Sequence, residues 1–352
     1  MGELRYDNPG GIIAGAVILE VLAILSVGLR FYTRRWKHQS VLVTDWLILA
    51  AFVFATGLTV IEIYGVKVEA LGYPLGSTIE DPKAVTGRLN KAKHLELSYL
   101  LLGITALGLV KLSACFLYWH LFAKVMFRRF LIVWMVIIVA WATSFVLAGL
   151  LECGSHLTAI FGAPQEYLDH CGSAIPSGWA MVGSDMATDL ITLIIPIPAI
   201  LKLQMPMHRK LLTLLTFMIG ALSVAASVVK AYIYIDASLG LYTEDAITIL
   251  TGISIWNLVE VQVGIIAASG PTLRPILAHI LPTESLLSLV SFPKKTKSTE
   301  SSDLPRFVKM TESEENFASG QRSNSQVPSV RSDVGRFEMQ TMTHASIPST
   351  HI

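Results

Sequence analysis

Phe130–Leu151 reads FLIVWMVIIVAWATSFVLAGLL, without one Asp, Glu, Lys or Arg. A helix crossing the hydrocarbon core of a bilayer needs about 20 predominantly apolar residues. This stretch meets that length with no charge to desolvate. Six further runs of the same kind surround it. Before it come Gly11–Leu29, Trp46–Tyr64 and Leu95–Leu121; after it come Ser177–Leu201, Leu211–Ile235 and Ala246–Ser269. The expected fold is all-α, a seven-transmembrane helix bundle. Composition agrees: 53% of the 352 residues are apolar and 15% charged, against roughly 25% charged in soluble domains.

Lys and Arg in short loops set the orientation. Arg34, Arg35 and Lys37 follow the first run, Lys124, Arg128 and Arg129 the third, and Lys202, Arg209 and Lys210 the fifth. These turns are assigned to the cytoplasm. The loop after the fourth run has Glu152, Glu166 and Asp169 and no cation, and the loop after the sixth has Asp236, Glu244 and Asp245. Gly65–Lys93 dissents, with five cations against three acids. The majority places residues 1–10 outside the cytoplasm, the membrane domain at 11–277, and residues 278–352 inside as a mostly disordered tail. That tail is rich in Ser, Thr, Glu and Gln and poor in apolar surface to bury. Which membrane holds the chain is not encoded. The opening MGELRYDNPGG lacks a basic n-region, so the first run is read as a retained helix.

A net charge of +1 gives no reason to expect a nucleic-acid partner. No phosphate-binding glycine loop or nucleophile elbow is present. His94 and His120 have no second His at ligand spacing on their helix, so neither a metal nor another cofactor is expected. Cys153 and Cys171 share one extracytoplasmic loop, where an oxidising compartment permits their pairing. Cys115 reads as a small packing residue.

The motifs along the runs converge. They are Arg30 to Arg34, Asp45-Trp46, and Lys111 followed by Phe116, Tyr118 and Phe122. Then come Cys171 before Trp179, Asp189 ahead of Pro196-Ile197-Pro198, Lys210, and Trp256, Glu260 and Gly264 before Pro271-Thr272-Leu273-Arg274-Pro275. In this order the chain resembles the fungal rhodopsin-like seven-transmembrane integral membrane protein family, the satratoxin-cluster membrane protein family. The likeness covers about Gly11 to Leu277. It implies the seven-helix fold and a setting near fungal secondary-metabolite pathways. Thr44 stands where the family often has an acid.

Charges inside the runs are the candidate site, since each costs about 2.5–3.5 kcal/mol at mid-helix unless partnered. Glu20 lies in the first run, Lys111 in the third, Asp185 and Asp189 four apart in the fifth, Lys230 in the sixth, and Trp256, Asn257 and Glu260 in the seventh. By depth, Asp185 meets Lys230, and Asp189 shares a level with Glu260, with Lys111 somewhat deeper. Lys111, Asp185, Asp189, Lys230, Trp256, Asn257 and Glu260 are the ligand-binding candidates. Satisfied packing pairs are the equal alternative.

Three functions follow as expectations. The leading one is service to a secondary-metabolite pathway by binding a small hydrophobic molecule in a sensing or accessory role. The second is a membrane-embedded enzyme, cyclase or isomerase in type, with Asp185, Asp189 or Glu260 as catalytic acid or base. The third is a surface or nutrient receptor whose tail engages a cytoplasmic signalling partner. Membrane lipid is the common surrounding. Retinal is not expected, because Ala246–Ser269 contains no lysine for the usual linkage.

Overall fold

The computed structural model describes residues 6, 8–73, 82–121, 124–154, 174–198, 207–240 and 246–280. The tail from residue 281 and most of the loop holding Cys171 lie outside the described residues. Seven helices account for nearly all of the described chain: α1 Pro9–Trp36, α2 Val43–Lys67, α3 Pro82–Leu121, α4 Val125–Leu150, α5 Ala174–Ile194, α6 Met207–Ser238 and α7 Ala246–Ile280. Each overlaps one of the seven apolar runs over most of its length. Six are long and apolar enough to cross a membrane. The exception is α5, where Asp185 and Asp189 dilute the hydropathy of a 21-residue helix.

Neighbours in sequence pack side by side, and α7 returns to α1, closing a ring with α3 through its middle. There α3 meets α2, α4, α5 and α7. Half of the spanning window is buried in α3 and α7, against 22% in α1 and α4, so the first pair form the core and the second pair the rim. The polarity of the bundle is inverted relative to a soluble protein. On α1 the exposed positions are Val17, Ile18, Val21, Leu22 and Leu25, while Arg30 on the inward face is fully buried. Apolar atoms face outward because lipid is the solvent, and polar groups turn inward to find partners.

Helix ends follow local chemistry. Asn8 caps α1 by accepting the Gly11 N–H at 3.0 Å, and Pro9 occupies the first turn, where no backbone donor is needed. At α2 the Asp45 carboxylate accepts the Leu42 N–H at 2.9 Å, satisfying one of the orphan donors of that terminus. Gly72, after α2, has φ +77 and closes against α1 and α7, its N–H donating to Thr251 Oγ1 at 3.0 Å. That left-handed backbone suits a residue without Cβ.

Three boundaries differ from the sequence reading. The fifth run does not continue to Leu201: α5 stops at Ile194. Pro196 lacks an N–H and its ring opposes the carbonyl four residues back, which breaks the helix into a turn at 195–196; Ile197 and Pro198 are helical again, and residues 199–206 lie outside the described residues. The seventh run does not stop at Ser269; its helix passes through Pro271 and reaches Ile280. Most consequential is α3, which starts at Pro82 rather than Leu95. Its 40 residues span about 60 Å at 1.5 Å each, twice a bilayer core. Lys83, Arg88, Lys91 and Lys93, four of the five cations of the dissenting loop, therefore ride on a helical extension of α3, and the fifth, Lys67, ends α2. Arg88 is tied to the backbone, donating to Glu69 O and Tyr73 O at 2.8 Å.

Candidate functional site

Five ionisable side chains from four helices meet in the middle of the bundle. Lys111 projects from α3 to α5. Its Nζ donates to Asp185 Oδ1 at 2.7 Å and to Thr188 Oγ1 at 2.8 Å, and lies 3.2 Å from Asp189 Oδ1. The same ammonium sits 4.6 Å from the Trp141 ring centroid, above its negative face. From α6, Lys230 Nζ donates to Asp185 Oδ2 at 2.6 Å, to Glu260 Oε2 at 2.5 Å and to Asn257 Oδ1 at 3.2 Å. Asp185 is thus shared by both lysines. Helical spacing makes this possible: Asp185, Thr188 and Asp189 fall on one face of α5, and Asn257 and Glu260 on one face of α7.

Lys111, Asp185, Lys230 and Glu260 are buried, and Asp189, at 12% side-chain exposure, is partly buried. Three carboxyls face two ammoniums, so with every group ionised the cluster carries one negative charge. Asp189 Oδ2 and Glu260 Oε1 have no hydrogen-bond partner among the described residues. Asp185, Asp189 and Glu260 offer oxygens within 4.8 Å of one another, a spacing suited to a cation. Lys111 and Lys230 are inserted among those oxygens, and their ammoniums supply the positive charge.

The ion-pair layer stands between two cavities of about 110 Å³ each. The first opens toward the amino-terminal side of the bundle. Its walls are apolar, from Leu71, Ile104, Leu107, Met181 and Ile253, while Asp185, Lys230 and Asn257 come from the layer. The second lies on the opposite side, with Lys111 and Asp189 from the layer and Tyr118, Phe217 and Pro271 among its walls.

Of the seven ligand-binding candidates, six converge here. Trp256 does not. One residue along a helix turns by about 100°, which takes Trp256 away from Asn257 and toward the chain's start. Its Nε1 donates to Tyr6 Oη at 2.7 Å. Tyr6 precedes α1; burial pushes its phenol above the ordinary tyrosine range, and the Trp256 hydrogen bond opposes that shift. Cys153 is disulfide-bonded and Cys115 is a free, buried thiol; Cys171 lies outside the described residues.

Two further polar knots were not assembled in the sequence reading, although Glu20, Arg30, Arg34 and Asp45 were named there. Arg30, fully buried on α1, donates from Nε to Asp45 Oδ1 at 2.7 Å and from Nη1 to Ala268 O at 2.8 Å. Arg34 lies 3.1 Å from Asp45 Oδ2. This joins α1, α2 and α7. Glu20 accepts from Thr56 at 2.7 Å, Thr59 at 2.8 Å and Gln262 at 2.6 Å, joining the same helices at another level. The signal for each was a polar residue in or beside an apolar run; Arg30, Asp45 and Glu20 were visible, and which of them pair was not.

Comparison with known proteins follows the same lines. The chain is similar to "Polyenoic acids biosynthesis gene cluster protein Ba17b" from Metarhizium anisopliae, 27% identical over 272 residues, covering 74% of this chain and 71% of that protein. It is similar to "Receptor GIN3" from Arthrobotrys oligospora, 24% identical over 322 residues, covering 85% of this chain and 71% of the receptor. No solved structure matches. A family model described as the fungal rhodopsin domain matches residues 29–279. That match begins at the end of the first spanning run and takes in every helix after it together with the whole ion-pair layer, and the chain belongs to the fungal rhodopsin domain family.

Proposed function

We propose that this membrane protein binds a small, neutral, hydrophobic molecule in the first cavity and serves a fungal secondary-metabolite pathway in a sensing or accessory role. The observation that carries the reading is the first cavity itself: mostly apolar walls, with Asp185, Lys230 and Asn257 at the end formed by the layer and Glu96, Ser254, Tyr99 and Tyr234 the other polar groups on its lining. Pockets for small ligands have this design, a greasy enclosure with few polar groups that fix orientation. The three donor hydrogens of the Lys230 ammonium are matched by Asp185, Glu260 and Asn257. A guest carboxylate would have to displace one of them and would add negative charge to a surplus. The Asn257 amide, with Oδ1 taken by Lys230, keeps N–H donors for a carbonyl, ester or hydroxyl oxygen.

The name of the Metarhizium relative, a polyenoic acid cluster protein, supports a pathway setting and an unsaturated guest, of which the cavity of about 110 Å³ takes the polar head and its neighbouring carbons while the rest of the chain leaves through the open mouth. The name of the Arthrobotrys relative supports a receptor as the second reading. In that case the same cavity senses an external molecule, with the amino terminus extracytoplasmic and the cytoplasmic tail engaging a signalling partner. Retinal does not fit either reading. A Schiff base consumes a free amine, α7 offers no lysine between Ala246 and Ser269, and Lys111 and Lys230 are each held by two carboxylates.

Titration of the nanodisc-embedded protein with methyl cis-parinarate, followed by polyene fluorescence, tests this. The expected result is saturable binding, with cis-parinaric acid about tenfold weaker, the worth of one lost charge-assisted contact. Ile104→Phe, which intrudes on the cavity, weakens the ester. Linear partitioning without saturation, unchanged by Ile104→Phe, would refute the reading.

A further inference from the structure

A third cavity lies apart from the ion-pair layer, between α1 and α7. At about 260 Å³ it is larger than either cavity flanking the layer. Gly11, Gly15 and Leu19 of α1 form one wall and Ile255 and Val259 of α7 the other; Tyr6 stands at one end and Glu62 of α2 lines the depth. Gly11 and Gly15 are exposed and Leu19, Ile255 and Val259 half-buried, so the slot opens on the outer, lipid-facing side of the bundle. Small residues at an interhelical seam ordinarily draw helices into close contact. Here they leave a gap: a Cβ placed on Gly15 would meet no atom within 4 Å.

Glu62 makes this more than a packing gap. Its side chain is fully buried. Ser254, which lines the first cavity, donates to Oε1 at 3.2 Å, whereas Oε2 has no partner among the described residues. A buried carboxyl oxygen left unmatched costs roughly 1–3 kcal/mol, so a group occupying the slot is expected to satisfy it. That group must come from lipid, which supplies apolar bulk, and it must pair with a carboxyl. A hydroxyl donates to a carboxylate and accepts from a carboxylic acid, so it matches Glu62 in either protonation state. A phosphate or a free fatty acid would bring a second negative charge to the same oxygen.

We infer that the α1–α7 slot is a binding site for an apolar alcohol of the surrounding membrane, a sterol or a long-chain alcohol, seated with its hydroxyl on Glu62. Occupancy would bridge α1, α2 and α7 without touching the ion-pair layer. The site is independent of the guest assigned to the first cavity.

The test uses the full chain in phosphatidylcholine nanodiscs and a diazirine-bearing sterol probe with a free 3-hydroxyl. Irradiation should label peptides containing Gly11–Leu19 and Ile255–Val259. Glu62→Leu removes the acceptor. Gly15→Leu fills the slot from open space and leaves Glu62 in place, so it separates lost binding from lost folding. Either variant should reduce labelling about tenfold, the effect of one buried hydrogen bond to a charged group. A sterol with a 3-hydroxyl, or hexadecanol, should compete, whereas the 3-deoxy sterol, which neither donates nor accepts a hydrogen bond, should not. Equal competition by the 3-deoxy sterol, or labelling unchanged in Gly15→Leu, overturns the assignment.

Discussion

Lys230→Met is expected to destabilise the bundle by about 3–5 kcal/mol, the range for stripping one partner from a buried ion pair, and to do so more severely than Asp185→Asn. The order is not the one that a count of contacts suggests. Asp185 bridges both lysines, so it looks like the keystone. The charge balance decides otherwise. Loss of the Asp185 charge leaves two carboxyls facing two ammoniums, with Lys111 still beside Asp189 at 3.2 Å and Lys230 still bonded to Glu260 at 2.5 Å. Loss of the Lys230 charge leaves three carboxyls facing Lys111 alone. Two of them, Asp185 and Glu260, lose a direct partner in a setting that water does not reach. Unfolding of the purified protein in mixed micelles with rising dodecyl sulfate measures both variants. Asp185→Asn proving the more damaging would show that connectivity, not charge balance, governs the layer.

The second large effect belongs to Asp45. Asp45→Ala should cost about 3–5 kcal/mol by the same reasoning, because Arg30 has no exposed surface on which to recover hydration. That substitution also frees the Leu42 N–H at the start of α2. Arg34→Ala should cost about 1 kcal/mol or less, the range for partly exposed pairs. Arg34 is 12% exposed, and Asp45 without it retains Arg30 and Leu42. The same denaturation assay ranks the two; a loss from Arg34→Ala as large as that from Asp45→Ala would contradict the assignment of Asp45 as the anchor.

The helices were legible because lipid imposes one rule, a run of about 20 apolar residues, that little else satisfies. Phe130–Leu151 is the clear instance. The rule weakens where charges enter a short helix: with Asp185 and Asp189, α5 alone of the seven described helices lacks a stretch long and apolar enough to cross a membrane. It is silent outside the bilayer, which is why the extension of α3 from Pro82 passed for a basic loop. For the site, depth along each run was enough to pair Asp185 with Lys230, but it set Lys111 deeper than Asp189 and Glu260 and did not show that Lys111 also bonds Asp185. Rotation about a helix axis was not readable from spacing alone, because Trp256 and Asn257 both stand at helical spacing from Glu260. Only the packing of α7 against Lys230 on one side and Tyr6 on the other separates them. Glu62 and Gln262 went unremarked inside apolar runs, since nothing local announces which neighbour will satisfy a polar group brought in from another helix.

Occupancy of the first cavity can be read directly. A diazirine analogue of methyl parinarate, irradiated with the nanodisc-embedded protein and mapped by peptide mass spectrometry, should place adducts on Met181, Tyr234 and the Leu100–Leu107 stretch of α3, which line that cavity. Excess methyl parinarate should suppress them. Adducts confined to lipid-exposed positions such as Val17, Val133 and Leu222, and insensitive to competitor, would mean that the first cavity holds no such guest and that the five charges serve only to hold the helices together.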